Sequence, residues 1–565
     1  MVLPMLGATL SYCAYAQEAP KATIHPFIFE DGSLFRRISD NGQWATAHAS
    51  IDNRDVNPKL IDFSTNTTLD LKAKGDDDAT TASACDVTDD GKMVAGSHDG
   101  QPAIFLTDAK RWWTLSHLPD SCTGGTINAI TPDGQFAVGS GSYANAYMEN
   151  VAFWDLSKEE PELIDLSAIP RKDMQGDDNN QRRLVDISPD GSTVLGCVSP
   201  SYVGPPGIFY FTYNRHTKKV QTIGFDTQKE GDKVVWTPRV EGLYFISTGQ
   251  MSPNGQYVTG EAYFSFPTED PNVNRDQKKG YRYNIETDEF TIIEAQEEMP
   301  GFTVCSNGTV LGATPADNPY REWSTFVGHY WYPINLILSQ RYGINFTAST
   351  GFVNTGSPIG TSSDGQKVIV MVGPTKDCYM LELPETLDKA TEGIDLLGNY
   401  MVTPKDGSEF SVLKTTTFTF PYEIELLGSK SDVTFTDEEG GKTGTIVSVK
   451  ADAKDLTIQF RSAKLDAGKK YTLKIAANAL AIKGDNGHKN KEIRVNYAGR
   501  AAVPVKMESV TPYENTEVVQ LNYTTNPVTI TFDTPLSLNE NAVGYLYKDD
   551  ETIPDGTLRL GVTDN

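Results

Sequence analysis

The chain has 565 residues and carries 75 Asp and Glu against 49 Lys and Arg, a formal net charge of −26 at pH 7. Affinity for nucleic acid is built by Lys and Arg neutralising phosphates, so DNA and RNA are excluded as partners. An apolar share of 38%, with 48 Gly and 31 Pro, describes a turn-rich globular chain and excludes coiled-coil, collagen and wholly disordered architectures.

Residues 2–16, VLPMLGATLSYCAYA, form a short apolar stretch ending in Ala14-Tyr15-Ala16. That small-x-small ending suits a signal peptidase, so residues 1–16 are expected to be a Sec-type export signal, although no Lys or Arg precedes Lys21. The stretch is too short to span a bilayer, and no other apolar run reaches spanning length. Tyr12 is too bulky for the position before a lipidated Cys13, which leaves a secreted or cell-surface protein without a lipid anchor as the expectation. Residues 22–30, ATIHPFIFE, then read as a strand with no partner nearby in sequence.

From there one pattern recurs: Ile38-Ser39-Asp40-Asn41-Gly42, Val87-Thr88-Asp89-Asp90-Gly91 and Ile130-Thr131-Pro132-Asp133-Gly134. It returns as Ile187-Ser188-Pro189-Asp190-Gly191, Met251-Ser252-Pro253-Asn254-Gly255, Val304-Cys305-Ser306-Asn307-Gly308 and Thr361-Ser362-Ser363-Asp364-Gly365. The glycines are 49, 43, 57, 64, 53 and 57 residues apart, the size of one four-stranded propeller blade. Proline presets φ at the first corner of a tight turn, Asp or Asn bonds its own backbone, and Gly takes the positive φ that follows. A β-rich run such as FAVGS or TVLGC comes after each turn, and most units add two further strands. The last unit supplies only three strands before the pattern stops, so residues 22–30 are expected to complete it and close the ring. One unit is irregular: in WYPINLILSQRYG, residues 331–343, a short helix is expected to replace or precede the outer strand.

As a set, these units resemble the WD40-like SPDG propeller repeats and the related extracellular HAF-type repeats, with Val138-Gly139, Leu195-Gly196 and Ala152-Phe153-Trp154 as matching features. The resemblance covers about residues 22–385 and implies an all-β seven-bladed β-propeller over residues 17–385. Residues 386–397 read as a linker with a short helical turn. Strands then follow by alternation, among them TTTFTFPYEIEL, GTIVSVKA, DLTIQFRS and KYTLKIAA, which points to a β-sandwich over 398–500. Leu465-Asp466-Ala467-Gly468-Lys469-Lys470-Tyr471 and Gly484-Asp485-Asn486-Gly487 resemble the bacterial SbsA-type Ig-like domains, which implies an Ig-like sandwich. A second copy over 503–565 runs for only about sixty residues where a sandwich needs about a hundred, so the chain is expected to be a piece of a longer protein.

Six cysteines, at 13, 85, 122, 197, 305 and 378, contain no CxxC and read as small buried hydrophobes. No H-E-x-x-H, G-x-S-x-G or Gly-rich phosphate loop occurs, so no catalytic residue is assigned and a nucleophile-based enzyme is disfavoured. Asp133, Asp190 and Asp364 have a complete structural role in their turns. The acidic runs Asp76-Asp77-Asp78 and Asp177-Asp178 lack the spacing of a calcium loop, and neither a metal nor a cofactor is expected. The remaining signal is aromatic. Trp112, Trp113, Trp236, Tyr263, Phe266, Trp323 and Trp331 lie in or beside longer connections and are candidate contacts for a glycan or an extracellular protein, weighed against a role as packing between blades. The reading is an exported, non-catalytic binding, adhesion or scaffold protein with Ig-like spacers. Its alternatives are a carbohydrate-active propeller, glycosidase or lyase, with acid/base residues gathered on the axis, and a structural surface-layer component.

Overall fold

A computed structural model describes residues 21–48, 56–72, 81–119, 121–144, 149–169, 180–200, 209–230, 233–247, 250–267, 274–293, 301–313, 323–346, 356–372 and 377–501, with short strands at 507–511, 529–532, 544–546 and 556–558. The expected signal, both acidic runs, residues 202–206 and most of the second sandwich lie outside the described residues. The described chain is all-β apart from α1 (Ile334–Tyr342), α2 (Leu387–Ala390) and short 3-10 turns.

Four-stranded antiparallel meanders succeed one another over residues 34–70, 82–114, 122–163, 180–222, 243–292 and 301–333. The third and fourth are joined into one eight-stranded sheet by a single parallel pair, Glu149 opposite Gln181. Residues 356–382 supply only three strands of the last meander. Its fourth is Thr23–Phe27, antiparallel to Asp377–Glu382, with Thr23 opposite Glu382 and Phe27 opposite Cys378.

The polar turns link these sheets into a cycle. In each of Gly42, Gly91, Gly134, Gly191, Gly255, Gly308 and Gly365, φ lies between 66° and 82°. The side chain before the glycine organises the corner: Asp190 accepts from Ser188 Oγ and from the Ser192 N–H, while Ser188 Oγ accepts from the Thr193 N–H. Each corner also backs onto its predecessor. A Cβ on Gly91 would lie 2.4 Å from Trp44, and one on Gly42 would lie 2.7 Å from Ser362 in the last meander. The Ser363 N–H donates to Asp40 O at 2.6 Å, so last and first turns are bonded as well as packed.

Inner strands are apolar on both sides because each sheet is covered by two neighbours: Val368, Ile369 and Val370 are all fully buried, as are Phe153 and Trp154. Cys197, Cys305 and Cys378 are buried in this packing, whereas Cys85 and Cys122, expected to be buried as well, are half-buried. All described cysteines are free thiols, and burial pushes Cys305 up to about 12 and Cys197 and Cys378 up to about 11, which leaves them unreactive.

In the sixth meander the outer strand is present as Tyr330–Pro333, and α1 follows it rather than replacing or preceding it. Pro333 carries the strand up to the helix N-cap because its missing N–H is unused there. Ile334, Leu336, Ile337 and Leu338 are buried, and Gly343 ends the helix in the left-handed region.

Residues 386–397 form a packed junction rather than an extended tether. Leu387, Ala390, Leu396 and Leu397 are buried, and Asp395 accepts from the Leu397 and Lys491 N–H groups at 3.1 and 2.9 Å. Beyond it, residues 401–499 build two four-stranded sheets and a three-stranded one. One four-stranded sheet orders Met401–Thr403, Val412–Thr419, Asp455–Lys464 and Thr445–Asp452; the other orders Glu409–Phe410, Ile493–Gly499, Lys470–Ile475 and Val433–Asp437. Phe418, Ile458, Phe435, Leu473 and Val495 alternate inward between them.

One apolar cluster runs without a break from Trp323 and α1 through the junction to Phe420, Tyr422 and Leu480. A polar clasp closes its edge. Tyr422 Oη donates to Trp331 O, Tyr330 Oη donates to Asp485, and His488 lies between Asp485 at 2.9 Å and Tyr332 Oη at 3.1 Å. The Tyr330 hydroxyl, then His488, holds the Asp485 carboxyl down to about 2. Tyr422→Phe removes the donor to a buried carbonyl and is expected to lower stability by about 1–2 kcal/mol in thermal melts.

Candidate functional site

The first strand of every meander shifts register by one residue: just before the turn, between Phe35 and Arg37, Ala84 and Asp86, Ile127 and Ala129, Leu184 and Asp186, Gly301 and Thr303, and Pro358 and Gly360, and further from it, between Leu243 and Phe245, in the fifth. Such a bulge re-aims the side chain that follows it. Here the re-aimed residues meet in the middle of the cycle. Arg37, from the first meander, places Nε 3.4 Å from Asp86 Oδ1 of the second and bonds Asp186 of the fourth through Nη2. Residues three sheets apart in a cycle touch only if both point to its centre. Thr303 Oγ1 donates to Gln250 Oε1 at 3.3 Å in the same layer.

Both axial carboxylates are already committed. Asp86 accepts from the Val87 N–H at 2.9 Å and, through its other oxygen, from the Ile130 N–H of the next meander at 3.0 Å. Asp186 does the same with Ile187 at 2.9 Å and Met251 at 3.0 Å. Each therefore stitches its own sheet to the following one, and Arg37 supplies the countercharge. With side-chain exposures of 7% and 3%, both are almost wholly withdrawn from solvent. Burial, opposed by Arg37, leaves the Asp86 carboxyl at about 6.

Asp40 stands in the turn where other units carry Pro132, Pro189 or Pro253. Burial and then the charge of Asp86 push its carboxyl up to about 8, with Arg37 opposing. Because the folded pKa lies above the ordinary 3.8, the folded state holds a proton that the unfolded chain releases, and stability falls as pH rises from about 4 to 8. Asp40→Asn is expected to match the parent near pH 4 and to melt higher than it at pH 8. Melts of the two proteins across that range check this.

Among the aromatic candidates, Trp112 and Trp113 lie half-buried on the outer strand Arg111–Thr114; Trp112 stacks on His98 at 5.3 Å and meets Phe105 edge-on. Trp236, on the hairpin formed by Phe225–Glu230 and Lys233–Pro238, packs 4.4 Å from Phe209. Phe266 stacks with Phe264 at 6.0 Å and packs against the same buried cluster as Trp236. Tyr263 has Phe245 at 4.7 Å and the Lys278 ammonium over its ring at 5.0 Å, and its hydroxyl donates to Glu261, so it is a fixed phenol rather than an open platform. Trp323 and Trp331 are 1% and 2% exposed; they are core residues of the sixth meander, and the expectation of surface contacts there is corrected. The candidates are thus spread over several sheets, and Trp236 and Phe266 pack against one shared cluster.

Sequence reasoning passed over Arg37, Asp86, Asp186, Gln250 and Thr303. The signal that finds them is phase: each sits two residues before the Ser, Thr or Cys that opens its turn. Among the described residues, no group of three or more His, Cys, Asp or Glu could hold a metal ion. No described helix is long and apolar enough to cross a membrane.

No family model matches the chain, and no curated protein matches it. Among solved structures, it is similar to an oligogalacturonate lyase in complex with manganese, at 13% identity and TM-score 0.39, covering 64% of this chain and 91% of that one. The Cps50 (Swd1) β-propeller domain of Myceliophteria thermophila gives 8% identity and TM-score 0.35, covering 64% and 99%. The β-propeller domain of the Trilobed protease from Pyrococcus furiosus gives 8% and 0.32, covering 69% and 90%. No activity is carried to this chain by likenesses of that size.

Proposed function

We propose that the cycle of meanders is a seven-bladed β-propeller, followed by an Ig-like β-sandwich and the start of a second, in an exported, non-catalytic binding or scaffold protein. The propeller face recognises a glycan or an extracellular protein, and the reading calls for no cofactor. One observation carries it: the carboxylates that gather on the axis, where a propeller enzyme would keep its acid and base, have both oxygens engaged by backbone N–H groups and share one guanidinium. Groups held in this way join sheets and are not free to move protons on a substrate. Of the aromatic candidates, the half-buried Trp112 and Trp113 lie on an outer strand, on opposite faces of it, and are the proposed contacts.

The test is a panel of immobilised glycans and surface proteins probed with the chain from residue 17 onward. Binding without consumption of the ligand is expected, weakened at least about tenfold by Trp112→Ala with Trp113→Ala, measured at a temperature below the variant's lowered melting midpoint, where it remains folded. Turnover of a polysaccharide or peptide, abolished by substituting one carboxylate, would overturn the reading in favour of a carbohydrate-active or peptidase propeller.

A further inference from the structure

Two units of one chain move relative to each other unless the interface between them is large and apolar. Here the interface is a continuous core. Ile337 and Leu338 of α1, Leu396 and Leu397 of the junction, and Phe420 and Leu480 of the sandwich belong to one buried cluster, so the core of the sixth meander runs on into that of the sandwich.

Residues 385–398 lie between the two units as a strap fastened to both. On the side of the cycle, Arg341 at the end of α1 donates through Nε and Nη2 to the two oxygens of Glu385 at 2.5 and 2.8 Å, and through Nη1 to Glu392 O at 3.0 Å. Gln340 exchanges two bonds with the main chain of Asp395, donating to its carbonyl at 3.0 Å and accepting from its N–H at 2.8 Å. Asn307, in the turn of the sixth meander, donates to Asp388 at 3.1 Å. On the side of the sandwich, the Asp395 carboxylate accepts from the Lys491 N–H at 2.9 Å, and Lys491 Nζ donates to Gly393 O at 3.3 Å. Asp395 thus holds α1 with its main chain and the sandwich with its side chain. The clasp of Tyr330, Tyr332, Asp485 and His488 crosses the same boundary without the strap.

We propose that the cycle and the sandwich are one rigid body that unfolds in a single step, latched by this strap, so that the face of the cycle is held at a fixed angle to the chain beyond residue 500. A single attachment lets a unit swivel; an apolar contact bonded at two separate places does not. Opening either unit strips apolar cover from the other, so neither opens alone. The sandwich is then a mount rather than a spacer, whatever the propeller recognises.

The test uses the chain from residue 17 onward with one readout for each unit. All seven tryptophans lie at or before Trp331, so indole fluorescence follows the cycle, while hydrogen exchange of the Lys470–Ile475 amides follows the sandwich. The parent is expected to lose both signals in one thermal transition. Leu473 is fully buried between the sandwich sheets and makes none of the contacts above. Leu473→Ala is expected to lower the indole midpoint by about 3 °C, the small shift that a large cooperative unit shows for one truncated side chain. Ile458→Val, a milder change in the same core, is expected to lower it by about 1 °C, and Ile104→Val, in the second meander, to quicken exchange at 470–475 about fivefold. Gln340→Ala with Asp395→Ala and Tyr422→Phe is expected to split the transition in two. An indole midpoint unmoved by Leu473→Ala and Ile458→Val, while exchange at 470–475 quickens, overturns the proposal. So does a parent whose sandwich opens well below its indole midpoint, and a single transition in the triple variant overturns the role of the strap.

Discussion

Arg37→Ala is expected to destabilise the protein by about 3–5 kcal/mol, and to lower its melting midpoint by roughly 10 °C in calorimetry. The guanidinium is the common partner of Asp86 and Asp186, whose side chains are 7% and 3% exposed, and removing it strands two buried carboxylates on the axis. Their backbone bonds to Ile130 and Met251 tie neighbouring sheets together, so the penalty is felt by the whole cycle and not by one strand. Adding Asp186→Asn to Arg37→Ala is expected to recover part of the loss, since a neutral amide keeps one acceptor for the Met251 N–H without leaving a bare charge. Protonation offers a second check: without the guanidinium the Asp86 carboxyl takes up its proton at a higher pH than in the parent, so the destabilisation by Arg37→Ala is greatest in alkali, shrinks as pH falls toward about 6, and is smallest below it. A cost below about 1 kcal/mol would mean that the axial carboxylates are not structural, and the argument against catalysis would fail with it.

The turns were legible in the sequence because their chemistry is local. Ser188, Pro189, Asp190 and Gly191 dictate a corner whatever surrounds them, and the same four-residue logic repeats at blade spacing. Counting strands between corners left residues 22–30 without a neighbour and the last unit one strand short, and Thr23–Phe27 pairs there. The axis was not legible. Arg37 and Asp186 are 149 residues apart, and each is aimed inward by a bulge that no local propensity encodes. The aromatic candidates fail for a related reason: a ring beside a long connection looks exposed in sequence, but Trp323 is fully covered because α1 and Phe346 pack over it, a tertiary fact. Likewise, the residues of the junction read as linker by composition, and only the structure places Leu396 and Leu397 against the sandwich core.

The other large effect concerns the leading strand. A chain that begins at residue 29 lacks Thr23–Phe27 and leaves Asp377–Glu382 as an open edge. It also loses the Phe27 ring, which is 8% exposed and makes edge contacts with Phe35 at 5.7 Å and Phe63 at 5.2 Å in the first meander. Phe27 thereby joins the last sheet to the first, and Phe27→Ala alone is expected to cost about 3–5 kcal/mol. The shortened chain is expected to lose more, to melt over a broader range, and to be cut by protease within 356–382 under conditions where the parent survives. A peptide of residues 21–30 supplied in trans is expected to restore resistance, because an edge strand of this kind recruits its partner through backbone hydrogen bonds. If the shortened chain melted as sharply and as high as the parent, the cycle would owe its closure to the bonded turns at Asp40 and Ser363 alone, and the strand would be ornament rather than fastening.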